Sequence, residues 1–115
     1  MGTMTDFKMA EGLTRVRYRF IEELEPRRNE LVLLRDGLTD TPLAEEKVTS
    51  IARIAHKVAG TAETLGFANL GKVAAELDEF IDQNPAGGVM PGNALLGLLD
   101  TMIALSDEIL SAKDH

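Results

Sequence analysis

The chain has 115 residues, no cysteine, no tryptophan and a formal net charge of −7, which suits one domain able to bury about two thirds of its unfolded surface. Without cysteine there is neither a disulfide nor a thiolate metal site, and a reducing compartment, the cytoplasm, is the expected home. The acidity is spread along the chain, so nucleic acid and anionic membranes, which both attract basic patches, are disfavoured as partners.

Apolar residues are mainly Leu, Ile, Val and Ala, and Tyr18 is the one tyrosine, a composition suited to packed helices. The opening Met-Gly-Thr-Met-Thr-Asp lacks the basic start and apolar core of a signal peptide. No apolar run approaches a membrane span. Residues 1–10 are expected to be a disordered N-terminus or an appended remnant, and residues 11–113 a four-helix bundle.

From residue 11 to 37, Leu13, Val16, Phe20, Leu24, Leu31, Leu34 and Leu38 recur at helical spacing apart from one gap at Arg27 and Arg28. Pro26 sits at that gap. Proline removes a backbone donor and clashes with the preceding turn, so a kink or break is expected near Leu24 and Glu25, with the short N-terminal piece lying over the bundle. Asp36-Gly37 suits a left-handed stop, and Thr39-Asp-Thr-Pro42 supplies caps for a second helix from about Leu43 to Leu65, ended by Gly66.

Phe67, Leu70, Val73, Ala74, Leu77, Phe80 and Ile81 define a third helix over 67–83, with Lys72, Glu76 and Glu79 outside. The run Asn84 to Asn93 reads as a turn-forming loop. Leu95, Leu99, Met102, Ile103, Leu105 and Ile109 give a fourth helix ending near Ala112. The fold class is therefore all-α: an antiparallel up-down four-helix bundle with a short N-terminal helical extension.

On the second helix, each residue turns the chain by about 100°, and Ile51, Ala55, Val58, Ala62 and Leu65 cluster within about 40° of one direction, the buried face. His56 points about 140° away from it, toward solvent. Gly60 lies about 180° from the core, where no helix of the same bundle presses. A lone exposed histidine is commonly plain surface and a helical glycine commonly a packing point, but this glycine faces outward beside the histidine. Side chains lean toward the helix N-terminus, so a glycine four residues on clears the space above His56.

Other chemistry finds no support. The paired Glu-x-x-His motifs of a bundle di-metal site are missing, Ser50 lies about 120° from His56 on the wheel, and Gly87-Gly88 lacks the lysine and strand of a phosphate loop. A free imidazole titrates near about pH 6.5 and offers a nitrogen lone pair at neutral pH. A phosphoryl group in line with that nitrogen is a natural electrophile.

The string Ala55-His56-x-Val-x-Gly60-Thr-x-x-x-Leu65-Gly66 resembles the signature of histidine-containing phosphotransfer (HPt) domains, roughly Ala-His-x-Leu-Lys-Gly-Ser-x-x-x-Leu-Gly. Phe20-Ile-Glu-Glu-Leu-Glu-Pro26 is similar to that family's first bundle helix, and Leu70 through Leu77 to its third. The resemblance spans about residues 15–110. It implies a phosphoryl carrier, without a kinase or hydrolase site of its own, that accepts a phosphoryl group on His56 from a receiver-domain aspartate and passes it to another receiver. Response-regulator receivers are the implied partners, a hybrid histidine kinase a further candidate, and a monomer the expected state. The carrier itself needs no cofactor or metal, magnesium being supplied by the receiver.

Within the resemblance, Gly60 has the clearance role and Thr61 replaces the commoner serine. Ala59 stands where the family usually has lysine. Arg53, about 60° from His56 on the wheel, and Lys57, about 100° from it on the side opposite Ala59, are candidates to offset phosphate charge, Arg53 being the nearer. Ala52, Ala59, Glu63 and Thr64 are candidate receiver-docking positions. The alternative function is a receiver-binding module of the same fold that has lost transfer. A third is the accessory domain of a chemotaxis-type or hybrid kinase.

Overall fold

The computed structural model describes residues 3–38, 45–84 and 92–112, with side chains from residue 12 onward. Four helices account for these residues, and no strand occurs among them: α1 over Thr3–Asp36, α2 over Glu45–Ala62, α3 over Ala68–Gln83 and α4 over Gly92–Ala112. The cap candidates Thr39 to Pro42 and most of the loop after Asn84 lie outside the described residues.

The core follows the apolar periodicity. Leu24 and Leu31 of α1, Ile51, Ala55 and Val58 of α2, Leu77 of α3, and Leu95, Leu99 and Met102 of α4 are fully buried. Ser106 is buried among them without an orphaned donor, because its hydroxyl donates to the Met102 carbonyl oxygen four residues back at 2.9 Å.

Cross-helix contacts give the directions. Arg28 donates to Asp107 at 2.6 Å and Arg35 to Asp100 at 2.5 Å, so α1 and α4 run in opposite senses. The hydrogen bond from Arg35 holds the Asp100 carboxyl below its ordinary 3.8. A carboxyl depressed in the folded state contributes stability above its ordinary value, and that contribution is lost as pH falls through the folded value. Urea titrations of wild type and Asp100→Asn should therefore differ at neutral pH and converge as pH falls below 3.8.

The region around Pro26 corrects the expectation of a break. α1 continues through it as a single 34-residue helix. Pro26 is exposed, so its missing donor and its ring disturb only the solvent side, while Leu24 and Leu31 anchor the helix to the core on either side. The i,i+4 pair Arg27–Glu23 also spans the proline. Helix extends back to Thr3, and residues 1 and 2 lie outside the described residues.

Leu13 and Val16 are exposed rather than buried. The reason is length: at about 1.5 Å per residue α1 spans roughly 51 Å, about twice α2 or α3, so its N-terminal part outruns the bundle. Two aromatic contacts steady this part of the chain. Phe20 stacks on Phe67 with ring centroids 5.4 Å apart, and the Arg17 guanidinium sits 5.1 Å from the Phe67 centroid.

Gly37 is not left-handed, since Gly66 is the one glycine with positive φ among the described residues. The Gly37 carbonyl instead accepts a hydrogen bond from the Lys47 ammonium at 3.0 Å. Gly66 does end α2 as expected, with φ of 92°. The Phe67 amide donates to the Ala62 carbonyl at 2.8 Å and the Gly66 amide to Glu63 at 3.2 Å, the two bonds of a Schellman stop.

That stop turns the chain directly into α3, which packs on α2 more extensively than any other helix pair. The two backbones approach closely at Gly71, where a Cβ would lie 2.9 Å from the Glu63 backbone nitrogen and 3.2 Å from its Cα. Backbone cannot yield as a flexible side chain does. Gly71→Ala should lower stability by about 1–2 kcal/mol, the strain of overpacking exceeding the helical gain of alanine over glycine; chemical denaturation checks this.

Candidate functional site

The α2–α3 turn sets the register of the site. Glu63 faces Gly71, and seven residues further along each helix His56 faces Asp78. Seven residues are close to two full turns, about 10.5 Å of rise, so the two layers stack on the same seam. The close approach at Gly71 brings the Asp78 carboxylate within reach of the imidazole.

His56 Nδ1 lies 2.9 Å from Asp78 Oδ2. An ionised carboxylate can only accept, so Nδ1 carries the proton and donates it, leaving the lone pair on Nε2. The imidazole side chain is 79% exposed and that of Asp78 34%. The ring is thus held on one side by α3, while its nucleophilic nitrogen faces solvent.

Gly60 is exposed, and a Cβ built there meets nothing within 4 Å. No packing demand explains this glycine, consistent with a clearance role above His56. On the flank away from α3 a groove of about 490 Å³ runs between α2 and α1, lined by His56, Lys57, Gly60 and Thr61 and, opposite, by Arg19, Phe20, Glu23 and Arg27.

The other candidate positions separate. Lys57 shares the groove with His56, whereas Arg53 lies in a shallow hollow with Glu45, Glu46, Thr49 and Ser50. Both cations lie on the same side of His56 on the wheel, but Arg53 stands about one turn toward the N-terminus of α2, outside the groove that Lys57 lines. Glu63 and Thr64 are exposed. Ala52 and Ala59 are half-buried against the core rather than turned away from it, because α3 covers that flank of α2.

Asp78, Arg27 and Glu23 carry no signal in the one-helix wheel that singles out His56. A signal does exist for Asp78. In a tight helical hairpin, residues equally distant from the turn face one another, and His56 and Asp78 are each eleven positions from Phe67.

The arrangement supports nucleophilic attack by Nε2 with Asp78 as a positioning residue. Asp78→Ala should slow phosphoryl uptake roughly 10-fold, equivalent to about 1.4 kcal/mol. Nitrogen NMR should show the tautomer preference of His56 relaxing in that variant, with the thermal midpoint nearly unchanged. A purely structural role for Asp78 would move the midpoint and leave the tautomer alone.

Among the described residues no cluster of three or more His, Asp or Glu side chains could hold a metal ion. No described helix is long and apolar enough to cross a membrane. A family model described as Hpt domain matches residues 15–109. No curated protein and no solved structure matches the chain.

Proposed function

The chain belongs to the Hpt domain family, whose function is histidine phosphotransfer in two-component signalling, and from that premise we propose that it is a phosphorelay carrier working between receiver domains through His56. The observation that carries the residue assignment is the 2.9 Å contact between Nδ1 and Asp78, which leaves Nε2 as the attacking atom.

The Nε2 lone pair attacks the phosphorus of a receiver's aspartyl phosphate. The P–N bond forms as the P–O bond to the receiver carboxylate breaks, and that carboxylate leaves as an anion. The ring keeps its Nδ1 proton and so becomes a phosphoimidazolium, whose positive charge Asp78 faces directly. Onward transfer reverses the step: the next receiver's aspartate attacks phosphorus and neutral imidazole departs. Magnesium belongs to the receiver in this scheme.

The carrier works in the cytoplasm as a monomer, and a hybrid histidine kinase is a further candidate donor. Its docking surface surrounds His56, with Gly60, Glu63 and Thr64 on the exposed arc and Ala52 and Ala59 along the α3 margin. Transient docking calls for a modest interface.

The test is incubation of the wild-type chain with a panel of receivers carrying radiolabelled aspartyl phosphate. Acid-labile label on His56 supports the reading. Binding to a receiver without any label would instead favour the module that has lost transfer, a reading motivated by Ala59 in the usual lysine position.

A further inference from the structure

Resting on the phosphotransfer reading, we propose that the groove between α1 and α2 is the seat of the phosphoryl group once it is on His56, and that Arg27 of α1 is the cation that holds it. Arg27 thereby takes the part for which Ala59, half-buried against the core, has no charge.

The direction of the ring leads to this. Bonds to the two imidazole nitrogens point to nearly opposite sides of the ring. With Nδ1 tied to Asp78 on the α3 flank, a group on Nε2 is directed away from α3, over Gly60 and toward α1. That path has no side chain at residue 60 to obstruct it. It ends in the groove that His56 and Gly60 share with Arg27. The alternative side is closed electrostatically, because the Asp78 carboxylate would repel a phosphoryl dianion.

The groups facing the phosphoryl position are Asp78 from α3, Lys57 from α2, and Arg19, Glu23 and Arg27 from α1. The two arginines differ. The Arg19 side chain is 81% exposed and that of Arg27 27%, so Arg27 has the more fixed stem and the less hydrated head. Contacts between α1 and the α2 region pair Gly37 with Lys47 and Phe20 with Phe67. Interpolating between them sets Arg27 level with Ala59, within one turn of both His56 and Gly60, and Arg19 beyond the end of α2.

Arg27 is engaged with Glu23 at 3.6 Å, and the same carboxylate meets Arg19 at 3.5 Å. Pairs this long, made through a half-exposed carboxylate, contribute little. A phosphoryl group carrying about −1.5 to −2 charge presents a planar guanidinium with a stronger, two-pronged partner. Glu23 therefore acts as a resting counter-ion that yields Arg27 when the phosphoryl arrives. It also prevents three cations, Arg19, Arg27 and Lys57, from facing the empty groove unbalanced.

The experiment uses the full chain carrying His115→Gln, so that His56 is its single histidine, phosphorylated chemically with phosphoramidate so that no receiver is involved. Phosphorus NMR then follows the second ionisation of the bound phosphoryl group, which for phosphorylated side chains falls at about pH 6. A neighbouring cation favours the dianion and lowers that midpoint. Arg27→Gln should raise it by about 0.5 pH unit, the shift expected from one partly exposed charge. Glu23→Gln should lower it, and Arg27→Lys should keep most of the wild-type value.

The opposite signs of Arg27→Gln and Glu23→Gln separate charge from loss of fold. Midpoints that coincide across wild type, Arg27→Gln and Glu23→Gln would overturn the assignment while leaving receiver-driven labelling of His56, and thus the carrier reading, intact. A midpoint that moves as stated in a chain that no receiver labels would sustain the groove and sink the carrier reading instead.

Discussion

His56→Gln is expected to abolish acid-labile labelling by every receiver that labels the wild type, while leaving the fold and receiver affinity in place. The loss is complete because a glutamine amide has no nucleophilic lone pair on nitrogen to replace Nε2. The fold survives because the imidazole is mostly exposed and contributes nothing to the core. The glutamine amide can still donate a hydrogen bond to the Asp78 carboxylate, so the α2–α3 seam keeps its polar contact. Thermal unfolding should match the wild type within about 0.5 kcal/mol, the usual range for a surface substitution. Residual label on the variant would place the phosphoryl acceptor elsewhere, and a loss of receiver binding would make the imidazole a docking contact rather than the acceptor.

The second large effect is at Gly60. Gly60→Gln should reduce transfer from a receiver about 100-fold, the order of loss that follows when reacting atoms cannot reach attack distance. It should do so without destabilising the protein. Nothing stands within 4 Å of a Cβ at this position, and a longer helix former replaces a residue that weakens the helix by about 1 kcal/mol. Stability and activity therefore move in opposite directions. The glutamine side chain leans back over His56 and bars a folded receiver more effectively than a small donor. Phosphoramidate should accordingly label Gly60→Gln much better than a receiver does. Equal losses with both donors would mean that the substitution disturbs the imidazole itself and that clearance is the wrong explanation.

These effects separate what one helix reveals from what takes two. The outward direction of His56 and Gly60 follows from the periodicity of Ile51, Ala55, Val58 and Ala62, because burial on a helix is an angular property of its own sequence. The stop at Gly66 is likewise local, since a glycine in the left-handed region and the two reversed hydrogen bonds need only the chain around them. Asp78 is a different kind of residue. Its value depends on lying opposite His56 across a seam whose spacing Gly71 sets, and neither fact is visible in the amphipathic pattern of α3.

Spacing alone counts Leu13 and Val16 toward a core, yet periodicity cannot say where the partner helices end. Pro26 shows the converse error: the local rule is sound, but proline on the solvent side of a helix anchored by Leu24 and Leu31 interrupts little. Arg27 is hidden for a third reason. It occupies a gap in the apolar pattern, where a charged residue reads as plain surface until the groove beside His56 is seen.

The Schellman turn between α2 and α3 also limits which length changes the chain could tolerate. His56 and Asp78 meet because equal numbers of residues separate each from Phe67, so the turn acts as a phase lock between two helices. Inserting one residue between Lys57 and Leu77 would rotate Asp78 by about 100° and advance it by about 1.5 Å relative to its partner. The bundle could repack its apolar stripe only by losing either the seam at Gly71 or the carboxylate behind the imidazole. A single-residue insertion or deletion in this hairpin should therefore cost more than a substitution on its exposed faces.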